Sequence, residues 1–270
     1  MISFPPCKIN IGLNVISKRS DGYHEIETCF YPIPWTDILE IIPADVLEFS
    51  NSGTTIPGKA EENLCLRAYQ LLKEKFDLKP VKIHLHKVIP TGAGLGGGSS
   101  NGAYTLRILN TIFNLQLSID QLKKYAAQLG SDCVFFMEDK PMIGTGRGEV
   151  LNAIRAKLSG KFIVVIKPDV HLWTAEAYAG IKPVLNSKSV KDIVENTDLT
   201  GWATSLKNDF EDSVFIKYPL IGEIKEKLYQ QGAIYASMSG SGSAVYGIFD
   251  KPVELKNQFQ NIICWSGVLV

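Results

Sequence analysis

The residues Pro90-Thr91-Gly92-Ala93-Gly94-Leu95-Gly96-Gly97-Gly98-Ser99-Ser100-Asn101 combine five glycines with two hydroxyls and an amide. The alternating run of residues 81–89 precedes them and predicts a strand. Residues 102–115 follow, with apolar Leu106, Leu109, Ile112 and Phe113 at helical spacing. A glycine loop that leads from a strand into a helix gathers free backbone N–H groups at the positive end of a helix dipole. Such a loop is a cradle for phosphate. Two commoner phosphate loops do not fit. No Gly-Lys-Ser/Thr occurs in the chain, so the lysine of a Walker loop is missing. Gly92, Gly94 and Gly97 match the dinucleotide spacing, but that motif continues into a second strand ending in an acid. Here Leu117-Ser118-Ile119-Asp120 reads as a cap and the start of another helix. A flexible linker would not be framed by a strand and an amphipathic helix.

Phosphoryl transfer to an alcohol needs a phosphate cradle, a cation and a group that orients or accepts the hydroxyl proton. Lys8 and Asn10 lie two apart on one predicted strand and so share a face. Lys8 is either an edge lysine with its ammonium in solvent or a charge aimed at a phosphate or at a reacting hydroxyl. Asp132, in Gly130-Ser131-Asp132, is either a turn or cap residue or a carboxylate near a transferred proton. Gly22-Tyr23-His24-Glu25 offers a hairpin tip or a stacking platform with a polar probe. His84 and His86 have two-ligand metal spacing with no third ligand nearby in sequence. Residues 237–243, Ser-Met-Ser-Gly-Ser-Gly-Ser, form a second small-residue loop. It is either a plain turn or a close approach to the first loop or its ligand.

These residues need elements to position them. Residues 7–15 alternate as a strand with one buried face, and 19–22 turn the chain into a returning strand at 23–33. Short strands are expected at 38–42 and 46–50, and helices at 63–76 and 118–129, the latter capped by Ser118. In the second half, strands are expected at 161–167, 234–238 and 244–249, with a helix at 220–231 ended by Gly232. Strand runs mixed with helix pairs, without regular βαβ alternation, imply an α+β protein divided near 156–161.

The 270 residues allow one large or two modest domains. Lys+Arg and Asp+Glu both number 28, so no basic surplus points to nucleic acid or an anionic membrane. The five widely spaced cysteines include no C-x-x-C pair, which favours reduced thiols in a cytoplasmic protein. The first residues have no apolar leader core, and no run approaches a membrane span, so neither feature is expected.

Together the segments resemble the GHMP kinase superfamily of galactokinase, homoserine kinase and mevalonate kinase relatives. The match rests first on residues 90–100. Within the superfamily, Lys8-Ile9-Asn10, Asp21-Gly22-Tyr23-His24, Glu62-Asn63-Leu64, Gly130-Ser131-Asp132 and Met238-Ser239-Gly240-Ser241-Gly242 are most similar to members acting on a cytidyl diphosphate sugar alcohol. The resemblance implies an α+β, two-domain GHMP kinase fold with the active site in the interdomain cleft. Residues 1–156 would be the N-terminal, ATP-binding domain and 157–270 the C-terminal domain. ATP would be the phosphoryl donor, with Mg²⁺ whose ligands the resemblance does not name. The acceptor would be the 2-hydroxyl of 4-diphosphocytidyl-2-C-methyl-D-erythritol, in the non-mevalonate route to isoprenoid precursors.

Asp132 matches the catalytic carboxylate and Lys8 the catalytic lysine. Pro90, Thr91, Gly92, Ala93, Gly94, Leu95, Gly96, Gly97, Gly98, Ser99 and Ser100 match the ATP loop, with Asn101 just beyond it. Asn63 and Lys87 match positions near the nucleotide. Asn10, Tyr23, His24 and Thr174 match positions around the cytidyl group, and Tyr178 falls where an aromatic sandwiches cytosine against Tyr23. The chain departs from the common pattern at Ala93, at Ser131 and at Trp173-Thr174-Ala175. A homoserine or mevalonate type of kinase, and a nucleotide-binding sensor without turnover, are the competing readings.

Overall fold

In the computed structural model, which describes all residues except 182, 184–187, 260 and 261, strands and helices are mixed along the chain. The first half runs β1 (Ile2–Ser3), β2 (Pro6–Lys18), β3 (His24–Thr36), β4 (Ile38–Pro43), β5 (Glu48–Gly53), α1 (Leu64–Phe76), β6 (Val81–Lys87), α2 (Gly97–Ile112), α3 (Ile119–Leu129), β7 (Met142–Thr145) and β8 (Val150–Ala153). The second runs β9 (Phe162–Lys167), α4 (Thr174–Ala179), α5 (Val190–Asn196), α6 (Trp202–Ser205), α7 (Glu211–Lys217), α8 (Pro219–Gln230), β10 (Tyr235–Met238), β11 (Val245–Phe249) and β12 (Ile263–Val268). The expected α+β class holds.

The chain forms two compact units from interleaved segments. One comprises Met1–Cys7, Trp35–Thr91 and Gly96–Asp139; the other comprises Lys8–Pro34, Gly92–Leu95 and Lys140–Val270. In the first, a sheet of order β1-β4-β6-β5 packs against helices that also pack on one another. Leu39, Ile41, Ile83 and Leu85 supply the buried face of that sheet. The second contains sheets of order β2-β3-β7-β8 and β10-β11-β9-β12. Its core gathers Val164, Ile166, Phe210, Ile221, Leu228 and Val245, from β9, β11, α8 and the chain around α7.

Local patterning accounts for most of these elements. Asn63 caps α1 by accepting from the Cys65 N–H at 2.9 Å. Ser118 caps α3 in a capping box with Gln121. Two expectations need correction. The strand at 7–15 is buried on both faces, not one. Its polar residues are inside because partners satisfy them, as described below. The helix expected at 102–115 starts five residues earlier, at Gly97. Glycine's poor helix propensity argued against that start, but close packing requires it. A Cβ on Gly97 would lie 2.9 Å from Ile89 Cγ2, and one on Gly102 would lie 2.9 Å from Leu64 Cβ. Strands β7, β8 and β12 were not foreseen. They are short or glycine-broken, and they are held by pairing with distant strands.

Candidate active site

The second half of the glycine loop is the first turn of α2. Gly96 is its N-cap, and no side chain caps the helix. Helix geometry leaves the N–H groups of Gly97, Gly98 and Ser99 without intrahelical acceptors. The first turn carries no acidic residue to neutralise the dipole. A 16-residue helix thus presents a bare positive end where the sequence placed the cradle. Gly98 is exposed there, and a Cβ on it would meet nothing within 4 Å.

Beneath this turn lies a buried charge cluster. The Lys87 ammonium sits 3.0 Å from where a Gly97 Cβ would be. Lys87 pairs with Asp37, a carboxylate with no solvent exposure at all, 0%. Asp37 also accepts from the N–H groups of Val88 and Ile89, at 2.7 and 2.8 Å, and from Asn101 Nδ2 at 2.9 Å. These four donors match the four acceptor positions of a carboxylate. Beside the cluster opens a cavity of about 370 Å³. Asn63, Lys87, Thr91, Gly98 and Asn101 contribute to its wall, and Phe49, Ile56, Pro57, Leu64 and Leu85 contribute apolar surface. Its size and mixed lining suit a nucleoside-sized group.

Asp132 lies in a 3-10 turn, Ser131–Cys133, that packs against α2 and α3. Next to it, burial pushes the Cys133 thiol up to about 12, opposed by a hydrogen bond from Ser99 of the α2 first turn. Ser100 is fully buried, and its Oγ has no hydrogen-bond partner among the described residues. The first unit thus gathers Asn63, Lys87, Ser99, Ser100, Asn101 and Asp132 around the start of α2.

The second unit holds Lys8 and Asn10, side by side as their spacing predicted. Lys8 is 4% exposed, so the solvent-edge alternative fails. Its ammonium donates to Asn10 Oδ1 at 2.6 Å and to the Gly94 carbonyl at 2.9 Å. Asn10 Nδ2 in turn donates to Thr28 Oγ1 at 3.1 Å, which fixes the amide's orientation. The second small-residue loop closes on the first. Ser239 Oγ donates to the Gly94 carbonyl at 2.9 Å, and the Ala244 N–H donates to the Ala93 carbonyl at 3.1 Å. Gly94 has φ +76°, and a Cβ there would fall 2.0 Å from the Ser239 carbonyl oxygen, so only glycine fits. Asn208 Nδ2 holds the second loop through the Met238 and Gly240 carbonyls, each at 2.8 Å.

The residues expected around a cytidyl group are also in this unit. Tyr178 stacks on His24, with ring centroids 4.8 Å apart, and meets the Phe210 ring edge-on. Tyr23 is 56% exposed and carries the Arg147 guanidinium 4.8 Å from its ring centroid. Thr174 opens α4 and hydrogen-bonds Ser241 of the second loop at 3.1 Å. The histidine pair at 84 and 86 is tied to serines instead of forming a metal cluster. His84 contacts Ser50 and Ser52, and His86 contacts Ser52, at 2.8–3.0 Å. Among the described residues, no group of three or more His, Cys, Asp or Glu could hold a metal ion.

Sequence reasoning missed Asp37, Asn208 and Arg147. Asp37 carried a weak signal, a lone acid between apolar Trp35 and Ile38-Leu39. Many surface turns show the same pattern. Asn208 and Arg147 act through chain segments far away in sequence and carried no local signal.

Known proteins resemble this chain along its length. The family model for the GHMP kinases N terminal domain matches residues 63–139, and that for GHMP kinases C terminal matches residues 189–263. A 4-diphosphocytidyl-2-C-methyl-D-erythritol kinase from Cytophaga hutchinsonii is 53% identical over 97% of both chains. A crystal structure of 4-(cytidine 5'-diphospho)-2C-methyl-D-erythritol kinase superposes with a TM-score of 0.83 at 30% identity, covering 99% of this chain and 98% of that one. A mevalonate kinase structure, at 15% identity and TM-score 0.74 over 98% of each chain, shares the fold alone. Matched by both family models and by full-length relatives, the chain belongs to the GHMP kinases, which take their phosphoryl group from ATP.

Proposed function

We propose that this chain transfers the terminal phosphoryl group of ATP to the 2-hydroxyl of 4-diphosphocytidyl-2-C-methyl-D-erythritol, in the non-mevalonate route to isoprenoid precursors. The observation that carries the reading is the bare N-terminal turn of α2 at the end of the glycine loop. Three unpaired N–H groups and an unneutralised dipole favour the phosphates of a nucleotide. The cavity beside Asn63 and Lys87 takes the nucleoside end. The choice of acceptor is supported by the names of the full-length relatives and by the aromatic residues Tyr23, His24 and Tyr178.

In this reading Asp132 accepts a hydrogen bond from the 2-hydroxyl and takes its proton as the new oxygen–phosphorus bond forms. The bond from phosphorus to the bridging oxygen breaks, and ADP leaves with that electron pair. Lys8, held by Asn10 and the Gly94 carbonyl, offsets negative charge on the transferred group. Mg²⁺ fits the residues present, because a nucleotide-bound ion draws most of its ligands from phosphates and water. The unpartnered Ser100 hydroxyl is the side chain that would join them. When bound, the ion neutralises phosphate charge.

Residues 1–156 and 157–270 remain the proposed N- and C-terminal domains, with one family model falling in each. Among the described residues no helix is long and apolar enough to cross a membrane. The five free cysteines favour a reducing, cytoplasmic setting.

The test incubates the full chain with ATP, Mg²⁺ and the cytidyl diphosphate acceptor, and follows ³¹P resonances for a new phosphomonoester. Homoserine and mevalonate run in parallel. Transfer to homoserine or mevalonate alone, or nucleotide binding without any transfer, would overturn the reading.

A further inference from the structure

Asp37 stands apart from the residues expected to touch nucleotide, yet it binds both ends of the loop that does. Its Oδ1 accepts from the N–H groups of Val88 and Ile89, where the chain leaves β6 for the loop. Its Oδ2 accepts from Asn101 Nδ2, at the far end of the loop, and from the Lys87 ammonium beneath the first turn of α2. Resting on the kinase reading above, we propose that Asp37 is a positioning residue for ATP. One carboxylate sets the span of the glycine loop, and with it the convergence of the α2 N–H groups on phosphate.

The chemistry favours a carboxylate over any neutral residue. All four partners are donors, and a carboxylate has four acceptor sites and no hydrogen of its own. An amide at this position would turn an N–H₂ toward both Lys87 and Asn101. The cluster also solves an electrostatic problem. The Lys87 ammonium lies under the positive pole of α2, and Asp37 neutralises it there. A plain buried ion pair would need one acid and one base. It would not need two backbone N–H groups from one side of the loop and a helix side chain from the other.

The experiment compares wild type, Asp37→Asn and the conservative Asp37→Glu, all as full chains. The readouts are the Kd of a non-hydrolysable ATP analogue, KM for ATP, KM for the cytidyl acceptor, and the thermal midpoint. In Asp37→Asn, analogue Kd and ATP KM should rise at least tenfold, with acceptor KM within twofold. In Asp37→Glu the carboxylate and its four acceptor positions are kept, and the ATP values should stay within threefold of wild type. An Asp37→Asn protein that melts earlier but keeps its ATP values within twofold would reduce Asp37 to a core ion pair and overturn the inference. If Asp37→Asn does not fold, Asp37→Glu decides: a tenfold or larger ATP defect in the folded Asp37→Glu protein overturns it. Wild type that binds no analogue fails the kinase reading itself, which keeps the two failures distinct.

Discussion

Gly98→Ala separates what the fold requires from what the ligand requires. Gly98 is the second residue of α2, has ordinary helical backbone geometry, and offers open space where a Cβ would be built. In the free protein the substitution should therefore stabilise, by about 0.5–1 kcal/mol, because alanine has less backbone entropy to lose on entering a helix. For a chain of this size the thermal midpoint should rise by roughly 1–4 °C. The same open space is where the proposed phosphates approach the N–H groups of the first turn. A methyl group there should raise the KM for ATP at least tenfold, about 1.4 kcal/mol of lost binding. Gly94→Ala is the contrasting control. Its φ of +76° and the 2.0 Å approach to the Ser239 carbonyl oxygen are demands of the protein itself. It should lose roughly 2–4 kcal/mol with or without ligand, from left-handed strain and displaced backbone. Differential scanning calorimetry with and without an ATP analogue, together with steady-state kinetics, measures both. A higher midpoint with ATP KM unchanged would refute the placement of phosphate at this turn, and a lower midpoint for ligand-free Gly98→Ala would refute the open space read there.

Asp132→Asn and Lys8→Met should each lower kcat by at least about 10³-fold while ATP-analogue affinity stays within about threefold, read by single-turnover kinetics and calorimetry. Equal turnover in wild type and Asp132→Asn would remove the carboxylate from the chemistry. Tyr178→Ala should raise the acceptor KM by about 5–150-fold, the worth of one stacked face, and leave the ATP KM unchanged. An unchanged acceptor KM would leave Tyr178 as a packing partner of His24 and Phe210. Burial holds the Cys65 and Cys133 thiols at about 12, against an ordinary 9.0. In the unfolded chain they ionise first, so stability is retained below pH 9 and lost as pH rises from 9 toward 12. The slope is roughly 1.4 kcal/mol per pH unit for each thiol. Urea unfolding between pH 8 and 10 should show a shallower decline for Cys133→Ala than for wild type, and identical slopes would count against the burial.

What the sequence determined by itself is local. Glycines, hydroxyls and an adjacent amphipathic segment were enough to read a phosphate loop before α2, because dipole and backbone chemistry act within a turn or two. The shared face of Lys8 and Asn10, and the cap at Ser118, were legible for the same reason. Tertiary structure decided what those residues do next. It buried both faces of β2 and began α2 inside the glycine run. It joined Ser239 to Gly94 across 145 residues and brought Asp37 to Asn101 across 64. Such pairings leave no periodic trace, because a buried polar residue and an exposed one look alike until the partner that satisfies it is known. The cradle was therefore readable from residues 90–101 alone, but the carboxylate that spans it was not.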